Sequence, residues 1–395
     1  RPAWRNIPAG VWTLGCVSLL MDVSSELIHS LLPLFLVTVL GTSTLAVGAI
    51  EGVAEATALI TKVFSGYLSD YFRNRKVLTA LGYGLAAATK PLFPLASSLA
   101  WIVFARFVDR IGKGIRGAPR DALIADITPA DARGAAYGLR QTLDTVGAVA
   151  GPALAIAAML WFADNFREVF WIAVVPAVAS VALLIVGVRE PDRPTDAAKP
   201  KPPVALRDIK QLSVRYWWVV GVAALMTLAR FSEAFLVLRA QSIGMPVAWV
   251  PLVMVVMSVV YAVVSYPAGV FVDRGRYRGL LSAGMLALVV ADLILARAGS
   301  VGQVLGGVAV WGVHMGLTQG VLAALVAETA PADLRGTAFG LFNLMSGIAL
   351  LIASALAGLL WDLYGPALTF DAGAVFTVLA WLALLLGNRP QIEHG

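Results

Sequence analysis

The stretch DITPADARGAAYGL, from Asp126 to Leu139, returns about 202 positions later as ETAPADLRGTAFGL, from Glu328 to Leu341. A second pair keeps nearly the same offset: Gly66-Tyr-Leu-Ser-Asp70 with Arg73, Arg75 and Lys76 behind it, and Gly269-Val-Phe-Val-Asp273 with Arg274, Arg276 and Arg278 behind it. Order and spacing agree in both pairs, which is the signature of a duplicated unit.

The rest of each unit is apolar. The chain is 59% hydrophobic and 14% charged, far from the roughly 25% charged residues of soluble domains. Runs long enough to cross a bilayer, about 20 residues each, fall at 11–39, 44–70, 77–97, 99–125, 135–160 and 169–188, then at 216–239, 247–271, 279–297, 302–327, 336–360 and 367–387. The expected fold is an all-α integral membrane protein of twelve transmembrane helices in two pseudo-symmetric six-helix bundles, 1–188 and 216–395. Between them, 189–215 is Pro-rich and charged, as a linker is. Arg73, Arg75, Lys76, Arg133, Arg274, Arg276, Arg278 and Arg335 share one set of loops. By the excess of Lys and Arg on the cytoplasmic side, those loops and both termini are expected inside. The net charge of +6 is explained by these loops and needs no nucleic acid. Cys16 is the one cysteine, so no disulfide within the chain is expected. No metal-ligand cluster, cofactor signature or cleavable leader is read, and no Walker, HExxH or GxSxG pattern supports enzyme activity.

Over essentially its whole length the chain resembles the major facilitator superfamily. Gly66, Asp70, Arg73, Arg75 and Lys76 look like the family's loop between helices 2 and 3, echoed by Gly269 and Asp273. Arg73 stands where the family has a second Gly. The resemblance implies a latch on the outward-facing state. Gly138, Gly147, Gly151 and Pro152 follow the spacing of the family's antiporter motif, though Ala155-Ile156 replaces its closing glycines. That implies exchange, not symport. Helix 4 is where the family keeps an intramembrane arginine, and Arg106 and Arg110 both qualify.

Ionisable groups inside spanning helices are costly unless they face a partner or a wet cavity. Asp22, Glu26 and His29 share one face of helix 1, and Glu51 and Glu55 one face of helix 2. Helix 4 carries Arg106, Asp109, Arg110, Lys113, Arg116 and Arg120, and helix 5 Arg140 and Asp144. An acidic face on helices 1 and 2 opposite a basic face on helix 4 would neutralise most of this charge. The second unit is poorer, with Arg230, Glu233, His314 and Asn343 as polar cavity candidates.

Two roles remain open for these groups: structural ion pairs, or a site where Asp22 or Glu26 exchanges a proton while Arg106 or Arg110 modulates it. His29, Glu51, Glu55, Asp109, Lys113, Arg140, Asp144, Arg230, Glu233, His314 and Asn343 are then the substrate-binding candidates. The expected protein is a monomeric secondary transporter of a bacterial cytoplasmic (inner) membrane. It would work by alternating access, with a small molecule, protons and membrane lipids as partners. Proton-coupled export of an amphipathic, zwitterionic or anionic compound leads. Import of an organic anion or siderophore, or flipping of a lysolipid, is the alternative.

Overall fold

The computed structural model describes residues 7–72, 74–129, 132–190, 209, 211–273, 277–331 and 334–386, with helices and connections and no strand among them. Arg73, most of the 189–215 linker, the surroundings of Gly66, and the side chains of Asp70 and Asp273 lie outside the described residues. The latch expectation falls partly there.

Helices form on the apolar runs. The first set is α1 (Ala9–Leu34, continued by a π-helical stretch Phe35–Val39), α2 (Thr44–Phe72), α3 (Arg75–Thr89), α4 (Leu99–Ile127), α5 (Arg133–Trp161) and α6 (Phe166–Gly187). The second is α7, in two pieces α7a (Val214–Ala229) and α7b (Ala234–Ser242), then α8 (Leu252–Asp273), α9 (Tyr277–Arg297), α10 (Val301–Thr329), α11 (Arg335–Tyr364) and α12 (Pro366–Leu386). Ten of these rods are long and apolar enough to cross a membrane; α3 and α4 are not among them. α3 stops at Lys90-Pro91, where proline supplies no backbone donor, and a short turn, Leu92–Leu95, carries the chain on. α4 has the length but is too charged by composition. All of its charges between Arg106 and Arg120 except Lys113 are buried inside the protein.

The packing repeats as the sequence does. α1 lies against α5 and α6, α2 against α4, and α3 against α4; six helices on, α7a lies against α11 and α12, α8 against α10, and α9 against α10. The two sets meet where α2 runs along α11, α5 along α8, and α1 beside α7b. On the α2–α11 seam glycines permit the approach. A Cβ on Gly52 would come within 2.9 Å of the Leu351 Cα, and one on Gly358 within 2.6 Å of the Leu45 Cα.

The contacts are uneven along the rods. One apolar core joins both sets near the 41–43 loop, through Leu31, Phe35, Leu236, Val253 and Phe370. Toward the other end the core splits, one cluster belonging to the first set and two to the second. The close glycine contacts between α2 and α11 also fall only in the half of α2 nearest the 41–43 loop, from Gly358 against Leu45 to Gly347 against Ala56. The two sets are therefore sealed together at the 41–43 end and splayed at the Arg75 end.

α7 breaks without proline or glycine. Arg230 leaves helical geometry (φ −103°, ψ 83°), and α11 holds the gap: the Ser232 N–H donates to Ser354 Oγ at 3.1 Å, while the Ala234 N–H donates to Ser232 Oγ at 3.2 Å.

A polar cavity between the two helix sets

The four-residue spacing of Glu51 and Glu55 on α2 matches that of Arg106 and Arg110 on α4, and the helices pack with these pairs in register. Arg106 grips Glu51 with two bonds, Nε to Oε1 at 3.1 Å and Nη2 to Oε2 at 2.6 Å. Arg110 Nη1 donates to Glu55 Oε1 at 3.0 Å, and its Nε lies 3.3 Å from Asp109 Oδ2. Glu51 is wholly buried and both arginines nearly so. In such surroundings an ion pair persists only when both partners are held.

α1 completes the lattice. His29 Nδ1 lies 3.2 Å from Glu26 Oε2 and its Nε2 3.5 Å from Glu51 Oε2, so the imidazole bridges the two carboxylates. Closer to the splayed end, Arg116 reaches Asp22 at 3.5 Å and lies over the Tyr83 ring. Arg120 bonds to Ser18 Oγ at 2.8 Å and to Asp121 at 3.1 Å, and Arg140 pairs with Asp121 and Asp144, each at 3.3 Å.

Lys90 was not among the expected site residues, yet its ammonium is buried, donating to Asp109 Oδ1 at 2.8 Å and to Ser25 Oγ at 3.0 Å. Its sequence signal is a lysine directly before a proline inside an otherwise apolar run, which marks a helix end turned inward.

A cavity of about 220 Å³ lies between the sets. Glu26, His29, Glu55, Arg110 and Lys113 line it from the first set, and Arg230, Phe231, Ser232, Glu233, Gln319 and Leu350 from the second. The break in α7 is what turns Arg230 to Glu233 into it. Lys113, Arg230 and Glu233 have no side-chain hydrogen bond or ion pair among the described residues. The cavity thus presents two uncommitted cations and one uncommitted carboxylate beside an aromatic ring.

Other expected residues lie elsewhere. Asp22, Arg140 and Asp144 are in the charge lattice toward the splayed end. His314 is buried, its Nδ1 2.8 Å from the Gly284 carbonyl oxygen of α9, and neither it nor Asn343 lines the cavity. Gly147 and Gly151 seat α5 on α1: a Cβ would come within 2.9 Å of the Asp22 Cβ at the first and of the Glu26 Cβ at the second. Gly138 has open space beside it, and α5 runs unbroken through the buried Pro152. Arg75 and Lys76 bond within the first set and to the start of the linker. The Arg75 guanidinium pairs with Asp126 at 2.8 Å, and the backbone N–H groups of Arg75 and Lys76 both donate to Glu190.

The sequence matches the model of the Major Facilitator Superfamily over residues 14–256 and 223–395. An MFS-type transporter of Methanocaldococcus jannaschii is 32% identical over 388 residues, covering 96% of this chain and 95% of that protein. In structure the chain is similar to the nucleoside transporter NupG (TM-score 0.78, 12% identity, 96% of this chain and 98% of that one). It is also similar to the human organic anion transporter MFSD10 (TM-score 0.69, 17% identity, 97% and 100%). Helix packing, a polar chamber between two helix sets and near-complete sequence coverage converge: the chain is a multi-pass membrane transporter of the Major Facilitator Superfamily.

Proposed function

We propose that the protein is a proton-coupled antiporter that exports a small zwitterionic or anionic amphipathic molecule across a bacterial cytoplasmic membrane. In this reading all twelve rods span the bilayer, α4 because its charges pair inside the protein and α3 because the turn Leu92–Leu95 lengthens its 15 residues. The Arg75 end and both termini are cytoplasmic, the chain works as a monomer, and the splayed state is inward-open. The observation that carries the reading is the set of uncommitted groups in the cavity. Lys113 and Arg230 offer a carboxylate or phosphate its counter-charge, Glu233 can take an ammonium, and Phe231 and Leu350 an apolar body. A few polar anchors in an apolar wall are the ordinary makeup of a small-molecule site.

Proton coupling is assigned to Asp22 and Glu26. Glu26 meets both the cavity and His29, which leads on to Glu51 and Arg106. A proton arriving at Glu26 weakens its hold on His29, and a substrate anion at Lys113 and Arg230 alters the same field. Alternating access can therefore link the two. Arg75, Lys76 and Gly269, with Gly66, Asp70, Arg73 and Asp273, are proposed to engage when the splayed end closes. The glycines Gly138, Gly147 and Gly151, with Pro152, would set how α5 moves on α1.

The test begins with thermal shifts on anionic, zwitterionic and cationic compounds at two pH values. Flux of the hits then follows in proteoliposomes of known orientation. Accumulation driven by an opposing proton gradient supports antiport. Accumulation that needs protons and substrate on one side would establish import by symport instead. Stabilisation by lysolipid alone would point to flipping.

A further inference from the structure

Three carboxylates are fully or nearly fully buried among the described residues: Glu51, Asp109 and Asp292. The first two are gripped by cations. Asp292, on α9, is 0% exposed and neither of its oxygens has a hydrogen-bond partner among the described residues. An ionised carboxylate in such a place is held at high energy.

Its surroundings are the break in α7. A Cβ built on Gly373 of α12 would lie 2.9 Å from Asp292 Oδ2, 3.1 Å from Phe231 Cε1 and 3.3 Å from the Ala229 carbonyl oxygen. Carboxyl group, aromatic ring and the last carbonyl of α7a thus share one small space that only glycine leaves open. The C-terminal carbonyls of a helix carry a partial negative charge, so an ionised Asp292 would confront a second negative end. The charged and titratable neighbours do not relieve this. On α12, Asp371 is taken by Arg297 at 2.9 Å. On α7b, Arg239 donates to the Leu295 and Ala298 carbonyls. On α10, His314 is bound to Gly284. Arg230 lines the central cavity, and α8 has no charged side chain among its described ones. Two carboxylate oxygens and one carbonyl are too few for the six or so oxygens a hard metal cation takes, whereas a proton needs one.

We propose that Asp292 is a second proton-binding site, distinct from the central cavity, which holds its proton while α7 is broken as here and releases it to water when that break rearranges. On release the O–H bond parts with its electron pair left on the carboxylate, and repulsion from the Ala229 carbonyl favours the rearranged α7. The inference does not depend on which cavity groups couple transport.

Infrared spectroscopy of the purified protein in lipid tests it directly, by the C=O stretch of a protonated carboxyl in a site poor in hydrogen bonds. The wild type is expected to show this band at neutral pH and lose it reversibly on alkalinisation. Asp292→Asn should lack the band at every pH, and Asp292→Glu, which keeps an acid, should retain a shifted one. An unchanged band in Asp292→Asn, or its absence from folded wild type, would overturn the proposal. Loss of the band on adding NaCl at fixed pH, but not choline chloride, would overturn it in favour of sodium.

Discussion

Asp362, in the last turn of α11, caps the start of α2 across the boundary between the two helix sets. Its carboxylate accepts the backbone N–H of Thr44 at 3.0 Å and that of Leu45 at 2.8 Å, together with the Thr44 hydroxyl. The first N–H groups of a helix have no partner within it. Here the missing acceptor comes from the other helix set, so separating the sets uncaps α2.

Removing this cap should favour opening of the sealed end. Loss of an N-cap acceptor costs about 1 kcal/mol, a shift of roughly fivefold between states. A single cysteine at the buried Ala353, in a Cys16→Ser background, reports on it. Asp362→Ala is expected to speed its labelling by an impermeant thiol reagent added from the sealed side. An unchanged rate would mean that the apolar core alone holds that end shut.

The paired ladder on α2 and α4 predicts a stability pattern. Arg106→Ala leaves Glu51 charged, buried and half-paired, which should cost about 3–5 kcal/mol and show as a lowered melting temperature in detergent. Arg106→Met with Glu51→Gln removes both charges and should recover most of that loss. Transport should stay absent in the double variant, since the His29–Glu51–Arg106 connection is gone. Full transport there would reduce the ladder to scaffolding.

Lys90 predicts likewise. Lys90→Met strands Asp109 beside Arg110 alone, and Lys90→Met with Asp109→Asn should melt near wild type. If the single change leaves melting untouched, the buried ammonium is not what anchors the end of α3 to α4.

Much of this lattice was legible because helical period fixes which residues share a face. Glu51 with Glu55 and Arg106 with Arg110 are each four apart, so one packing register satisfies both pairs. Lys90 was harder to read, since one charge in a run has no period and only the following Pro91 hints at an inward-turned end. The break at 230–233 leaves no local trace, because Ser354, on a distant helix, holds it open. The Asp362 cap spans 318 positions, and no local pattern carries such a contact. His314 and Asn343 show the converse: polarity is visible in sequence, but the face it turns to is set by packing. The ten-against-twelve difference has two causes: α3 is cut short at Lys90-Pro91, and hydropathy counts against α4 ions that pair inside the protein.

The glycines of α5 separate packing from motion. Gly151→Ala places a Cβ against the Val23 carbonyl and Glu26, and overpacking of this kind costs about 1–3 kcal/mol. Gly138→Ala meets nothing in the present state and should melt as wild type does. If α5 closes on the second set during the cycle, Gly138→Ala should nonetheless slow turnover. Normal melting together with normal turnover would show that this face stays open throughout.

The cavity charges yield the sharpest division between binding and coupling. Lys113→Gln and Arg230→Gln remove cations that hold no ion pair among the described residues, so neither should lower the melting temperature of the empty protein. Each should weaken the thermal shift given by an anionic or zwitterionic ligand, by about tenfold in affinity for one charge-assisted bond of 1.5 kcal/mol or so. Glu233→Gln should spare simple anions and weaken only ligands that carry an ammonium. Asp22→Asn and Glu26→Gln should act differently again, keeping ligand-induced shifts while abolishing accumulation driven by a pH gradient. A ligand bound equally well by Lys113→Gln, Arg230→Gln and wild type would place its site outside this cavity. Gradient-driven flux retained by both Asp22→Asn and Glu26→Gln would move the coupling proton off α1.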